Sequence, residues 1–201
     1  NDPELYKGRD PRASVMENIV KTIDLAIEYL PVKTKVYRIS RDAALLLKAR
    51  ICLYEGTYRR YRNLEGDAEY LKLAYEAAGA LMDMGHSLYK SATPEQSYFD
   101  LFIQDKYDTN PEVILAREYD ASINMGNNVS NSIPGAIMGM SRDCFEEYLC
   151  ATTGKPISQC GCHNPDMGQI QEMENRDGRL LQTVCLPKAG EYSRYLFREV
   201  N

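Results

Sequence analysis

The residues best suited to chemistry gather in the second half of the chain. Cys160-Gly161-Cys162-His163 places two thiols and an imidazole within four positions. Zinc favours such ligands, but its paired cysteines usually have two or more residues between them, and here there is one. Cys144, Cys150 and Cys185 could add sulfur, though nothing in their spacing sets a distance. A disulfide such as Cys150 with Cys160 suits an exported protein better than a metal, and free buried thiols are the commonest state of such cysteines. We therefore expect no metal ligand and no cofactor. Glu146 and Glu147 form a second candidate pair. Glycoside hydrolysis needs two carboxyls facing one bond, about 5 to 9.5 Å apart. Neighbours on a helix point about 100° apart, so this pair reads as a solvated helix face. Asn175-Arg176-Asp177 with Arg179 reads as a polar knot, in which an Arg–Asp pair locks a turn. The sequence carries no nucleophile elbow, P-loop, dinucleotide fingerprint or HExxH, and no catalytic residue is assigned.

A different chemistry is suggested between Tyr119 and Asn131. Asn124, Asn127, Asn128 and Asn131 offer amide donors and acceptors that suit sugar hydroxyls. Tyr119 adds a flat apolar face on which a pyranose ring could stack. Tyr119, Asn124, Asn127 and Asn128 are thus the candidate ligand-binding residues. An ordinary surface loop accounts for them equally well, since Asn is also a turn residue. Met125, Met138 and Met140 are expected to fill gaps in the core.

These groups need elements to hold them. Asp10 reads as an N-cap and Pro11 as the first residue of a helix. Val15, Ile19, Ile23, Ala26, Ile27 and Leu30 recur at helical spacing, and Pro31 ends the run. A second helix is predicted from Ser40 over residues 41–54, with apolar side chains on nearly every face and hence burial between neighbours. The basic run Tyr58-Arg59-Arg60-Tyr61-Arg62 reads as a helix end. A third helix is predicted over residues 67–84, with Tyr70, Leu71, Ala74, Tyr75, Ala78, Leu81 and Met82 on one side and Gly85 as its left-handed terminator. The second and third would form an antiparallel pair of the kind that stacks in tetratricopeptide-like arrays. Beyond residue 90 the periodicity fades. Short helices are predicted at 96–103 and 143–149, and a short strand at 113–116, among Gly-, Pro-, Asn- and Asp-rich loops.

Composition bounds the function. With 44% hydrophobic and 26% charged residues, the chain has the balance of a globular protein, and no apolar run is long enough to span a bilayer. A net charge of −5 argues against nucleic acid as a partner. Tyr is abundant at fifteen residues and Trp is absent, so any aromatic sugar platform must be Tyr. The chain starts at Asn1 without initiator Met, signal peptide or lipid-attachment Cys, and is expected to be a fragment or processed product.

Five segments, in order, resemble the SusD-like family, to which RagB belongs. They are the buried-helix segment 41–54, the helix and Ser-Leu-Tyr turn of 69–90, YFDLFIQDKYDTNPEVILAREY at 98–119, FEEYLCATTGKPI at 145–157, and NRDGRL at 175–180. The pattern departs at Tyr37, where the family has Gly, and at Gly178, where it has Pro. The resemblance implies a mainly α fold of tetratricopeptide-like stacked helical hairpins with a loop-rich insert containing short strands. Residues 1–90 would be the helical segment, and 91–201 the loop-rich portion of the same domain. It also implies non-catalytic capture of oligosaccharide at the outward face of the outer membrane, where a lipid anchor outside this chain would hold the protein. The glycan would pass to a SusC-like, TonB-dependent transporter. The rival expectations are a tetratricopeptide-like scaffold that binds a peptide or protein, and an enzyme with a Cys-His metal site.

Overall fold

The computed structural model describes residues 6–129, 139–163, 166 and 168–184. These residues are mainly helical, as the periodicity predicts. The chain divides into two units. One takes residues up to Leu88 together with Lys106–Glu118, and the other takes Tyr89–Asp105 and the chain from Tyr119 onward. No helix among the described residues is long and apolar enough to cross a membrane.

The first unit is built on three helices, α1 (Arg12–Tyr29), α2 (Arg41–Tyr61) and α3 (Asp67–Met82). Pro11, rather than Asp10, occupies the N-cap position of α1, because its extended ψ of 136° leaves its carbonyl free to accept from Val15. The helix stops where predicted. Leu30, ahead of Pro31, is extended. The buried side of α1 carries Met16 and Ile23 with Ile19 and Val20 beside them, while Val15 is exposed. The stripe is set by where α2 lies, since Cys52 and Ile51 of α2 meet this side.

Helix α2 runs about two turns past its predicted end and includes most of the basic run. Ala44, Leu45 and Cys52 are buried, but Leu47, Leu53 and Tyr54 are exposed. Burial on every face needs neighbours on every face, and the helices packed on α2 are α1 and α3. The α2–α3 pair is joined by residues 62–66 and approaches closely at Gly56. A Cβ there would lie 2.7 Å from Leu71 Cγ and 3.0 Å from the Leu71 backbone nitrogen. On α3, Tyr70, Ala74 and Ala77 are buried, whereas Tyr75 and Met82 face outward. Gly85 takes the left-handed conformation, φ 80°, in the turn that follows.

Glu55 is the most deeply buried charge described in this unit, with no exposed surface, ahead of Asp42. Arg12 of α1 donates to it at 3.0 Å and Arg59 of α2 at 2.8 Å. Burial pushes its carboxyl upward, but hydrogen bonds from Arg12 and then Arg59 outweigh this and hold it below the usual carboxylate range. The Arg12 guanidinium also lies 3.9 Å from the Tyr58 ring centre, and Arg59 lies 4.6 Å from that of Tyr70.

Residues 106–118 rejoin this unit through Tyr37. Its hydroxyl accepts from the Tyr107 N–H at 2.9 Å and donates to Asp108 at 3.3 Å. The Ala116 N–H donates to the Val36 carbonyl at 2.9 Å. Residues 113–116, predicted as a strand, form no ladder beyond this. The extended pairings found among the described residues are two isolated bridges, Asp120 with Met125 and Cys150 with Arg176.

The second unit holds short helices: α4 (Ser97–Phe102) behind a 3-10 turn at Pro94–Gln96, then α5 (Arg142–Glu146), α6 (Ile157–Cys160), α7 (Gln169–Met173) and α8 (Gly178–Thr183). Each is too short to persist alone, so packing and caps must hold it. The Phe99 N–H donates to Gln182 Oε1 at 2.9 Å, tying α4 to α8. Leu101, Met173 and Leu180 are buried.

Two outcomes are expected in the helical unit. Glu55→Gln should destabilise the protein at pH 7 by on the order of 2 kcal/mol, the scale of hydrogen bonds to a charged group. Because the folded Glu55 carboxyl titrates below its unfolded value of about 4.3, its stabilisation is complete above that pH. It fades as pH falls through the lower folded value, so urea denaturation should show wild type and variant converging in acid. Gly56→Leu should cost about 1–3 kcal/mol through overpacking against Leu71. Gly79→Ala, where a Cβ meets nothing within 4 Å, should instead gain up to about 1 kcal/mol of helix propensity.

Candidate functional site

The segment after Tyr119 is a closed turn. Asp120 and Met125 exchange both backbone hydrogen bonds, at 2.9 and 3.0 Å, around a 3-10 turn at Ala121–Ile123. The Asp120 carboxylate accepts from the Ser122 N–H at 2.8 Å and its hydroxyl at 2.6 Å. Asn124 sits at φ 59°, the left-handed region that Asn tolerates better than most residues. Asn127 Oδ1 accepts from the Val129 N–H at 3.0 Å, a local turn of the Asx kind. Two of the three described asparagines therefore shape the loop. All three are exposed, as are Tyr119, Ile123, Met125 and Val129. The structure brings Tyr119, Asn124, Asn127 and Asn128 onto one exposed loop with apolar side chains between amides. Asn131, Met138 and Cys185 lie outside the described residues.

The polar motif near residue 176 is a scaffold. Arg176 is 4% exposed and sits among backbone carbonyls. It donates to Tyr148 O at 2.6 Å, Phe145 O at 2.9 Å and Glu172 O at 3.1 Å, and its guanidinium lies 5.1 Å from the Phe145 ring centre. The chain on either side is stitched to residues 149–151, with Ala151 N–H donating to Asn175 O at 2.9 Å and Asp177 N–H to Leu149 O at 2.8 Å. Asp177 caps α8 and takes a two-pronged pair with Arg179, the Arg–Asp lock that the sequence predicts. Glu172, also buried, is gripped by the fork of Arg142 at 2.7 and 2.9 Å. That grip holds its carboxyl below the usual range. Glu146 pairs with the same Arg142 on α5.

This scaffold delivers Cys150 to the cysteine–histidine run. The sulfurs of Cys150, Cys160 and Cys162 lie within 4.8 Å of one another. Cys150 Sγ is 3.6 Å from Cys162 Sγ, and His163 Nδ1 is 3.3 Å from Cys160 Sγ. Cys150 is buried, and hydrogen bonding from Thr153 holds its thiol below the ordinary value. The disulfide weighed as an example, Cys150 with Cys160, is not the one formed. Cys160 is joined to Cys162, and Cys150 is a free thiol. Gly161 is the cause. Its left-handed φ of 65° at the end of α6 folds Cys162 back, so that the Cys162 N–H donates to Cys160 Sγ at 3.1 Å. A one-residue spacing counts against a ligand pair only while the chain runs straight. A glycine in the gap was the available signal that it turns. Of the remaining thiols, Cys52 is part of the helical core and Cys144 is exposed.

Arg176→Met should cost on the order of 3 kcal/mol, since several carbonyls lose a charged donor together. Arg179→Ala, an exposed pair, should cost less than about 1 kcal/mol. Equal midpoints for the two variants in urea would show that Arg176 does not organise this unit. Comparison with protein-family models, with curated proteins and with solved structures gives no match to this chain.

Proposed function

We propose that the chain belongs to a SusD-like, non-catalytic protein that captures oligosaccharide at the outward face of the outer membrane. The captured glycan passes to a SusC-like, TonB-dependent transporter. The observation that carries this reading is the ordered set of five family-like segments between about residues 38 and 185. The structure supports it in kind. The α2–α3 pair is the sort of helical hairpin that a tetratricopeptide-like stack repeats, and a loop-rich portion with isolated bridges takes the place of short strands. The segments at 145–157 and 175–180 resemble separate family motifs, and Arg176 binds them into one structure. Tyr37, a departure from the family pattern, has a structural task of its own in holding residues 106–108.

On this reading the sugar meets the 119–129 loop. Tyr119 presents a face for stacking, and the Asn amides supply hydrogen bonds in both directions. A peptide-binding scaffold is the second reading. It draws on the open groove of about 590 Å3 between α1 and α2, lined by Arg12, Val15, Met16, Leu47, Arg50, Ile51 and Tyr54. That lining is mostly apolar with two arginines, unlike the Tyr- and Asn-rich concave wall that a polar peptide would use.

Titration calorimetry against a panel of plant, host and microbial oligosaccharides tests the proposal, using this chain and any longer natural form that contains it. Binding is expected for at least one glycan, and Tyr119→Ala should weaken it about 10-fold, the loss of one contact of roughly 1.4 kcal/mol. Binding that ignores Tyr119→Ala and Asn128→Ala would move the site away from this loop. No binding to any glycan, together with a peptide that titrates into the α1–α2 groove, would favour the scaffold.

A further inference from the structure

Three sulfurs from distant and local sequence converge in the second unit, and a ring nitrogen lies beside one of them. Cys150 arrives from the bridge with Arg176, and Cys160, Cys162 and His163 come from the end of α6 and the turn that Gly161 makes. Tetrahedral zinc with Zn–S of about 2.3 Å and Zn–N of about 2.0–2.1 Å puts its ligand atoms about 3.8 Å apart for sulfur pairs and about 3.6 Å for a sulfur and a nitrogen. The Cys150–Cys162 separation of 3.6 Å and the Cys160–His163 separation of 3.3 Å lie close to those edges. All three sulfurs fall within 4.8 Å of one another, so one ion could reach all of them.

We infer that, in its thiol form, this unit binds one divalent zinc-class ion through the three sulfurs of Cys150, Cys160 and Cys162, with His163, whose ring lies beside Cys160 and outside the close-set trio, turning in as the fourth ligand. Four protein ligands leave no open position, so the site is structural and not catalytic. The surroundings suit thiolates. The Cys162 N–H points at Cys160 Sγ at 3.1 Å, and the Asn175 amide lies 3.7 Å from Cys150 Sγ. Such donors orient ligands and spread their charge. The metal would add to the small buried set of Leu101, Ile157, Met173 and Leu180, and would clamp residues 150 and 160–163 together. The Cys160–Cys162 disulfide is the competing state of the same atoms, because a sulfur in a disulfide is not a thiolate ligand. The site is independent of the glycan reading.

The test uses the chain reduced with a phosphine under anaerobic conditions and titrated with Co2+, then Zn2+. One equivalent of Co2+ should give the visible bands of tetrahedral cobalt with thiolate charge transfer, and Zn2+ should erase them. Cys150→Ser and His163→Ala should each weaken binding beyond the roughly 10- to 100-fold that loss of an outer-shell partner causes, while Cys144→Ser should leave it unchanged. Should a variant fail to fold, alkylation of the wild type read by mass spectrometry decides instead. Zn2+ should slow modification of Cys150, Cys160 and Cys162 but not of Cys144. Absence of a tetrahedral cobalt spectrum, a spectrum indifferent to Cys150→Ser, or Zn2+ protection no greater at the cluster than at Cys144 would each overturn the assignment.

Discussion

A carboxylate with no exposed surface lies in the helical unit, and the arrangement of α1 on α2 depends on how it is satisfied. An ionised group removed from water must be paired and hydrogen-bonded or it forces the structure apart. Glu55 meets this by taking Arg59 from its own helix and Arg12 from the first turn of α1. The first contact is local and available to α2 alone. The second can be made only when α1 lies across α2 in one position, so the charge pins the orientation that apolar contacts among Met16, Cys52, Tyr70 and Ala74 would leave loosely defined. The aromatic faces of Tyr58 and Tyr70 cover the two guanidiniums.

The second unit solves the inverse problem with the opposite sign. Its helices are short, and their ends leave carbonyls that need donors. Arg176, almost fully buried, supplies five directed N–H groups from one side chain and closes Phe145, Tyr148 and Glu172 around it. Lysine could not do this, because a rotating ammonium does not hold a planar fork. With those carbonyls held, residues 149–151 pair with 175–177, and Cys150 is fixed beside the cysteine–histidine turn. Positioning of the sulfur cluster is thus a consequence of how Arg176 is satisfied.

The two proposals place different demands on the structure. The Tyr119–Val129 loop spends Asn124 and Asn127 on its own geometry and offers an exposed, mixed surface, which suits weak and broad recognition of polar ligands. The sulfur cluster is part buried and its atoms are close-set, which suits a single compact ion.

The sequence by itself determined the helices and their limits where periodicity and proline speak directly: α1 to Leu30, the α2–α3 hairpin, and the left-handed turn at Gly85. It also indicated that an Arg–Asp pair would lock the turn at 175–179, and the pair formed is Asp177 with Arg179, two residues away. These outcomes rest on forces that act within a few residues. Which face of α1 is buried, why Leu47 and Tyr54 remain exposed, and which cysteines meet were decided only by tertiary structure. Cys150 reaches Cys162 through a bridge to Arg176, and Glu55 reaches Arg12 across 43 positions. Spacing along the chain carries no information about such contacts, because they depend on where packed elements place side chains in space.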